Sequence, residues 1–318
     1  MSDNVHGFGE TDPDNNNNNN NNDNQYSYDD QTPILLKRIY TGDPRNQSIP
    51  NYLQETLCPF LRIYSFSFII IVVNVVIYII SLCPHGLNTY YKDIYFLPPS
   101  YKTLKDFGHL CGYKIRSKPI QAYRWIAGNL LHASFDHIFY NCFAILIIGT
   151  LLEYLIGSLR YIVIYCLSGL LGSLFSALVK PDEASVGASI CICGVIAADI
   201  GFHIINWKIL PRIFGIPNRC CLIMIPVIIA FLSILMYINR KGDNGISDSN
   251  INIYGHLGGL IFGFFMSFIF IKPNDENDTC FLPYKVLYIT GIVVCSAFAV
   301  IGFPCFYLLD KYKKEDDC

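Results

Sequence analysis

Charge is scarce in this sequence. Only 15% of its 318 residues are Asp, Glu, Lys or Arg, against 52% hydrophobic residues and a mean hydropathy of +0.35. An ordinary soluble domain carries about a quarter charged residues, so this balance excludes one. Basic excess is absent too. The net charge is −2 and the first basic residue is Lys37, which leaves no electrostatic footprint for nucleic acid. None of the 13 cysteines forms a CxxC pair, so metal-site spacing is missing and no metal or organic cofactor is expected. Six cysteines sit in apolar runs (Cys142, Cys166, Cys191, Cys193, Cys295, Cys305) and read as small packed hydrophobes. Cys83 and Cys111 share one loop, and a pairing between them stays open. The N-terminus has neither the apolar core of a secretory signal nor the arginines of a mitochondrial presequence, so neither is expected.

What is present is patterned. Residues 1 to about 34 contain an asparagine run, Asn15 to Asn22, among seven acidic residues. Such a stretch cannot bury enough apolar surface to fold and is expected to be disordered. Apolar runs of helix length follow at roughly 63–83, 135–156, 161–179, 188–206, 221–238, 254–271 and 286–308. Each approaches the ~20 residues that span a hydrocarbon core, and none alternates as a barrel strand would. Backbone polar groups must be paired within lipid, so the expected fold is all-α, a polytopic membrane helix bundle of seven spans. Its expected organisation is a cytosolic, mostly disordered 1–62, a core of six transmembrane helices over 63–271, and 272–318 as a loop, a seventh helix and a polar tail.

The loop over 84–134 is the longest and is rich in Tyr, Phe, Pro and Trp, as suits a membrane interface; a plain extramembrane loop fits nearly as well. A cytosolic N-terminus puts Arg62, Arg160, Lys208, Arg212, Arg219, Lys272 and Lys285 inside. It leaves Arg240, Lys241, Lys311, Lys313 and Lys314 outside, so the positive-inside rule does not decide orientation.

Polar groups within a bilayer are costly and point to function by default. If the spans alternate, the starts of the second, fourth and sixth lie at one face of the membrane. They carry His137 with Asn141, Ser189, and His256. His137 and Asn141, spaced i, i+4, share a helix face. Gly255, Gly259 and Gly263 form a small-residue stripe beside His256, and Gly194, Ala198 and Gly201 offer a matching small face on span four. Small residues let helices approach closely in lipid. The expected chemistry is a Ser189–His256 dyad with Ser189 as nucleophile and His256 as base. His137, Asn141 and the Ser189 backbone N–H would stabilise an oxyanion. No third acid fits: Asp199 lies ten residues beyond Ser189, about 15 Å along the helix. Asp199 and His203 read as a structural pair or as facing the cytosolic rim, and Glu153 with Arg160 reads as an anchor of the short turn between them. Gly187-Ala188-Ser189 begins like a G-x-S-x-G elbow, but Cys191 replaces the last glycine and no strand precedes it.

Across roughly residues 60–310 the chain resembles the rhomboid family of intramembrane serine proteases. The resemblance rests on Tyr123-Arg124, His132, His137, Asn141, Gly187-Ala188-Ser189, and Gly255-His256-Leu257-Gly258-Gly259 with Gly263, in that order and spacing. It implies Ser189 as nucleophile, His256 as base, His137 and Asn141 as oxyanion stabilisers, and His132 and Gly187 near the site. It also implies single-pass transmembrane proteins as substrates, cut in or near their membrane helix, a lipid bilayer as the setting, and no cofactor. The extra C-terminal helix looks like the eukaryotic secretase-type subclass, and the asparagine tract, by composition, suggests a protist and an apicomplexan rhomboid-like protease. The implied location is a multi-pass protein of the plasma membrane or a secretory-pathway organelle with a cytosolic N-terminus. Two positions depart from the family pattern. Ile190 stands where glycine usually follows the serine, with the potential to narrow the pocket or shift the Ser189 N–H. Tyr123 stands where tryptophan usually precedes the arginine. Two other classes remain: a client-binding relative without activity, which would usually lack Ser189 or His256, and a transporter, whose polar groups would line the whole bilayer depth.

Overall fold

The computed structural model describes residues 60–87, 96–207, 252–273 and 282–308, with the backbone at 212–213 and 216–217. It is a helical bundle, and its long helices lie on the apolar runs. The first is α1 (Phe66–Ser81), followed by three short loop helices, α2 (Tyr101–Phe107), α3 (Gly112–Ser117) and α4 (Arg124–Ala127). Then α5 (Phe135–Ala144) runs through a π turn, Ile145–Gly149, into α6 (Thr150–Ile156). After it come α7 (Ser158–Val179), α8 (Ser189–Ile205), α9 (Ile253–Phe270) and α10 (Tyr284–Leu308). Among the described residues four helices are long and apolar enough to cross a membrane: Phe135–Ile156, Ser158–Val179, Ile253–Phe270 and Tyr284–Leu308. Phe66–Ser81 and Ser189–Ile205 are shorter apolar helices. The predicted span at 221–238, the asparagine-rich N-terminus and so the count of seven lie outside the described residues.

The centre of the bundle is the packing of α7, α8 and α9, and it is made by missing side chains. A Cβ on Gly263 would overlap the backbone of Gly194, and one on Gly201 would overlap Ser267 Oγ. On the α7 side, a Cβ on Gly258 would come within 2.8 Å of Gly172 Cα. The small faces of spans four and six therefore meet as their spacing predicted, backbone against backbone, where dispersion contacts and not water exclusion hold helices together in lipid.

The start of α1 is fixed from another helix. Glu153 on α6 is buried, and its carboxylate accepts the N–H groups of Phe66 and Ser67 at 2.7 and 2.8 Å and the Ser158 hydroxyl at 2.5 Å. Ser65 Oγ accepts a third first-turn donor, Phe68 N–H, at 3.2 Å. A carboxylate at a helix N-terminus answers both the unpaired N–H groups and the helix dipole. Glu153 anchors the turn after it through Ser158 and not, as the sequence implied, through Arg160, whose guanidinium donates to Ile156 O. The second expected pair, Asp199 with His203, does lie together: both are buried on α8, with His203 Nδ1 2.6 Å from Asp199 O and 3.6 Å from its Oδ2.

The long first loop is folded. Arg124, buried beneath it, donates from Nη1 to His109 O at 2.9 Å, from Nη2 to Lys105 O at 3.1 Å and from Nε to Gln121 Oε1 at 2.6 Å. One guanidinium thus joins the ends of α2 and α4. Burial, helped by Lys114, Arg124 and Lys105, pushes the His109 imidazole down to about 3, so it stays neutral there. The loop also meets the last helix: Trp125 packs edge-on against Phe303 and Phe306, and the Arg116 guanidinium lies 4.9 Å over the Phe306 ring. Cys83 is a free, exposed thiol, whereas Cys111 is disulfide-bonded. A Cys83–Cys111 bridge is therefore not formed.

Replacing Glu153 with alanine strands two N–H donors at the buried end of α1. The expected loss is about 2–5 kcal/mol of stability, read as a lower thermal midpoint in detergent micelles. A midpoint unchanged by the substitution would show that α1 is held by packing alone.

Candidate active site

Three helix starts converge at one end of the bundle. Ser189 opens α8, and its Oγ lies 2.6 Å from Nε2 of His256 in the first turn of α9. Both residues are half-buried, so the pair is within reach of a ligand yet shielded on its inner side.

Local sequence explains each placement. Asn252 caps α9: its Oδ1 accepts Gly255 N–H and the Ser176 hydroxyl of α7, both at 2.7 Å. One side chain therefore starts the helix that carries His256 and ties that start to its neighbour, as a short amide at an N-cap can. The capping residue was missed in the sequence, although Asn immediately before an apolar run is a recognised start signal. Before α8, Ser185 pairs with Leu110 through two backbone bonds of 2.8 and 2.9 Å, and Gly187 N–H donates to Gly128 O at 2.9 Å. The strap that delivers Ser189 is thus stitched to the first loop.

Gly187 itself has φ +130, a conformation that side chains disfavour, and it separates two site residues. A Cβ there would meet His137 Cε1 and Nε2 at 2.7 Å and Ser189 Oγ at 3.4 Å. His137 and the serine hydroxyl therefore border the same space over Gly187. His137 belongs to α5, whose first turn is capped by Ser134 Oγ accepting His137 N–H at 3.2 Å. Asn141, one turn on, is 7% exposed, and its Nδ2 donor has no hydrogen-bond partner. A buried amide left with a free donor costs stability and marks a place where a ligand oxygen would be welcome. His132 is fully buried with its ring 5.2 Å from that of His137. Burial first, and His137 second, hold the His132 imidazole well below the usual histidine range, hence neutral.

The residues the sequence assigned to the site, Ser189, His256, His137, Asn141, His132 and Gly187, lie at this end of the bundle. Ile190 does not narrow the opening: it is 2% exposed, with its side chain turned away from the site into the interface of α7 and α9. Asp199 and His203 lie ten and fourteen residues further along α8, paired with each other. Among the described residues no cluster of His, Cys, Asp or Glu is arranged to hold a metal ion. The arrangement can do one kind of chemistry well: a hydroxyl hydrogen-bonded to an imidazole, beside amide and imidazole N–H groups, can attack a carbonyl and hold the resulting oxyanion.

Residues 119–273 match the family model for the Rhomboid domain. The chain is 26% identical to Rhomboid-like protease 1 of Toxoplasma gondii over 278 residues, covering 87% of this chain and 86% of that protein. It is 28% identical to RHOMBOID-like protein 7 of Arabidopsis thaliana over 262 residues, covering 74% and 79%. With RHOMBOID-like protein 6, mitochondrial, of the same plant, it shares 31% identity over 182 residues, covering 57% of this chain and 54% of that one.

A methyl group on Gly187 must displace either its own backbone or the His137 ring. The Gly187→Ala protein is expected to react with a fluorophosphonate at Ser189 roughly 10²-fold more slowly, the scale of losing one fixed oxyanion donor. Labelling at the unaltered rate would show that the space between His137 and Ser189 is not used.

Proposed function

We propose that this chain is a rhomboid-type intramembrane protease, a serine endopeptidase working through Ser189 and His256; the match of residues 119–273 to the Rhomboid domain and the likeness to rhomboid-like proteases support that reading. The observation that carries the proposal is the 2.6 Å contact between Ser189 Oγ and His256 Nε2. With Nδ1 carrying the ring proton, Nε2 accepts the Ser189 hydroxyl proton as Oγ bonds to the substrate carbonyl carbon. The tetrahedral oxyanion is held by His137, by Asn141 Nδ2 and by N–H groups at the start of α8, which have no partner within the helix. His256 then gives its proton to the leaving amine as the peptide C–N bond breaks, leaving Ser189 acylated. A water molecule, deprotonated by the same imidazole, hydrolyses the ester and restores the hydroxyl. Among the described residues no acid orients His256; its ring is placed by α9, whose start Asn252 holds, so the proposed machinery is a dyad.

The substrate class follows from the setting. Single-pass membrane proteins present a helix whose carbonyls are already hydrogen-bonded, so cleavage favours segments whose small or helix-breaking residues let them unwind near the mouth of the site. The proposed catalytic core is the six-helix region over 63–271, with the N-terminus in the cytosol and the site facing the opposite side. The membrane is that of the cell surface or of a secretory organelle.

Against a tagged single-pass substrate, Ser189→Ala and His256→Ala are expected to abolish cleavage. Asn141→Ala is expected to lower it roughly 10²–10³-fold. Undiminished cleavage by both dyad variants would sink the mechanism. Orientation has a separate readout: Asn46-Gln47-Ser48 and Asn277-Asp278-Thr279 are glycosylation acceptors on the proposed cytosolic side. Both are expected to stay unmodified in cells, and glycan on either one inverts the topology.

A further inference from the structure

We propose that Ile190 is a positioning residue: its side chain is a spacer that sets the distance between Ser189 and His256. This inference rests on the protease reading above.

The geometry is specific. Ile190 follows Ser189 at the start of α8 and is 2% exposed. Its Cγ2 fills a notch at Gly172 on α7, where a Cβ would come within 2.6 Å of it. Its Cδ1 fills a second notch at Gly255 on α9, where a Cβ would come within 2.7 Å. Its carbonyl lies against Gly259, so closely that a Cβ there would overlap it. Three glycines on two helices thus receive one residue of a third.

What matters is where the notches lie in the chain. Gly255 is bonded to His256, and Ile190 is bonded to Ser189. The contact between the aliphatic side chain and the Gly255 notch is therefore one residue removed, on both sides, from the 2.6 Å hydrogen bond. Asn252 accepts the Gly255 N–H, and its amide shares the notch at Gly255 with the Ile190 side chain, so a cap and a spacer together fix the turn that carries His256. Isoleucine suits the task because β-branching leaves it one strongly preferred χ1 rotamer in a helix, which makes it a stiff shim. Without that side chain the space at Gly172 would lose its Cγ2 and the notch at Gly255 would keep only the Asn252 amide, so α8 and α9 could slide or draw together, changing a separation on which proton transfer depends.

A filler and a spacer differ in what they affect. A side chain that only fills space changes stability; a spacer changes the chemical step. For Ile190→Gly and for the volume-conserving Ile190→Leu, the expected result is a kcat lower by roughly 10–100-fold at nearly constant KM, as for a small misplacement of reacting groups. The rate of fluorophosphonate labelling at Ser189 falls in parallel. Ile190→Val, which keeps the β-branch and Cγ2, restores most of both. Ile190→Leu keeps the result readable if the glycine variant fails to fold. Wild-type kcat and labelling in a folded leucine or glycine variant would overturn the proposal while leaving the dyad standing. A wild-type protein with neither Ser189-dependent cleavage nor labelling would remove the protease reading, and the spacer with it.

Discussion

Close approach of helix backbones in a setting without water is the constraint on which the rest depends. In lipid there is no hydrophobic gain from joining two apolar helices, so α8 and α9 hold together by contact at glycine, Gly194 against Gly263 and Gly259 against Ile190. Only at that separation can a serine on one helix and a histidine on the other share a hydrogen bond. Each of the supporting features acts on the same separation or on its orientation. Asn252 fixes the start of α9, the Ser185–Leu110 pairing and Gly187 fix the start of α8, and Glu153 fixes α1 against the turn that begins α7.

This explains an economy in the site. A water-exposed serine hydrolase commonly orients its histidine with a carboxylate, but here the nearest acid on α8 is Asp199, buried with His203 well along the helix. A buried carboxylate at the site would have to be desolvated, whereas a helix start pinned by an uncharged amide supplies orientation without one. The free amide donor of Asn141 and the neutral ring of His132 are consistent with the same logic: uncharged polar groups are present where an oxyanion would form.

Much of this was legible in the sequence because membrane helices leave few alternatives. Apolar runs mark the helices within a few residues, as at 135–156 and Phe135–Ile156, and the order of helix starts brings Ser189, His256 and His137 to one end without any knowledge of packing. The direction of a side chain was harder to see. Ile190 read as a threat to the pocket because sequence gives its neighbour in the chain but not the glycines of α7 and α9 that receive it. Glu153 read as a partner of Arg160 because they are near in sequence, whereas its real partners are backbone donors more than eighty residues earlier. The Cys83–Cys111 pairing rested only on a shared loop, and Cys111 is bonded elsewhere. In each case the missing information was a long-range contact between elements whose local patterns were read correctly.

The central claim is that Ser189 is made nucleophilic by His256 alone. The most direct measurement is peptide mapping by mass spectrometry of the purified protein after reaction with a fluorophosphonate, the wild type beside His256→Ala. The account predicts a single phosphonylated serine, Ser189, in the wild type and no adduct in the variant. An adduct on another residue, or one on Ser189 that survives loss of the imidazole, would contradict it.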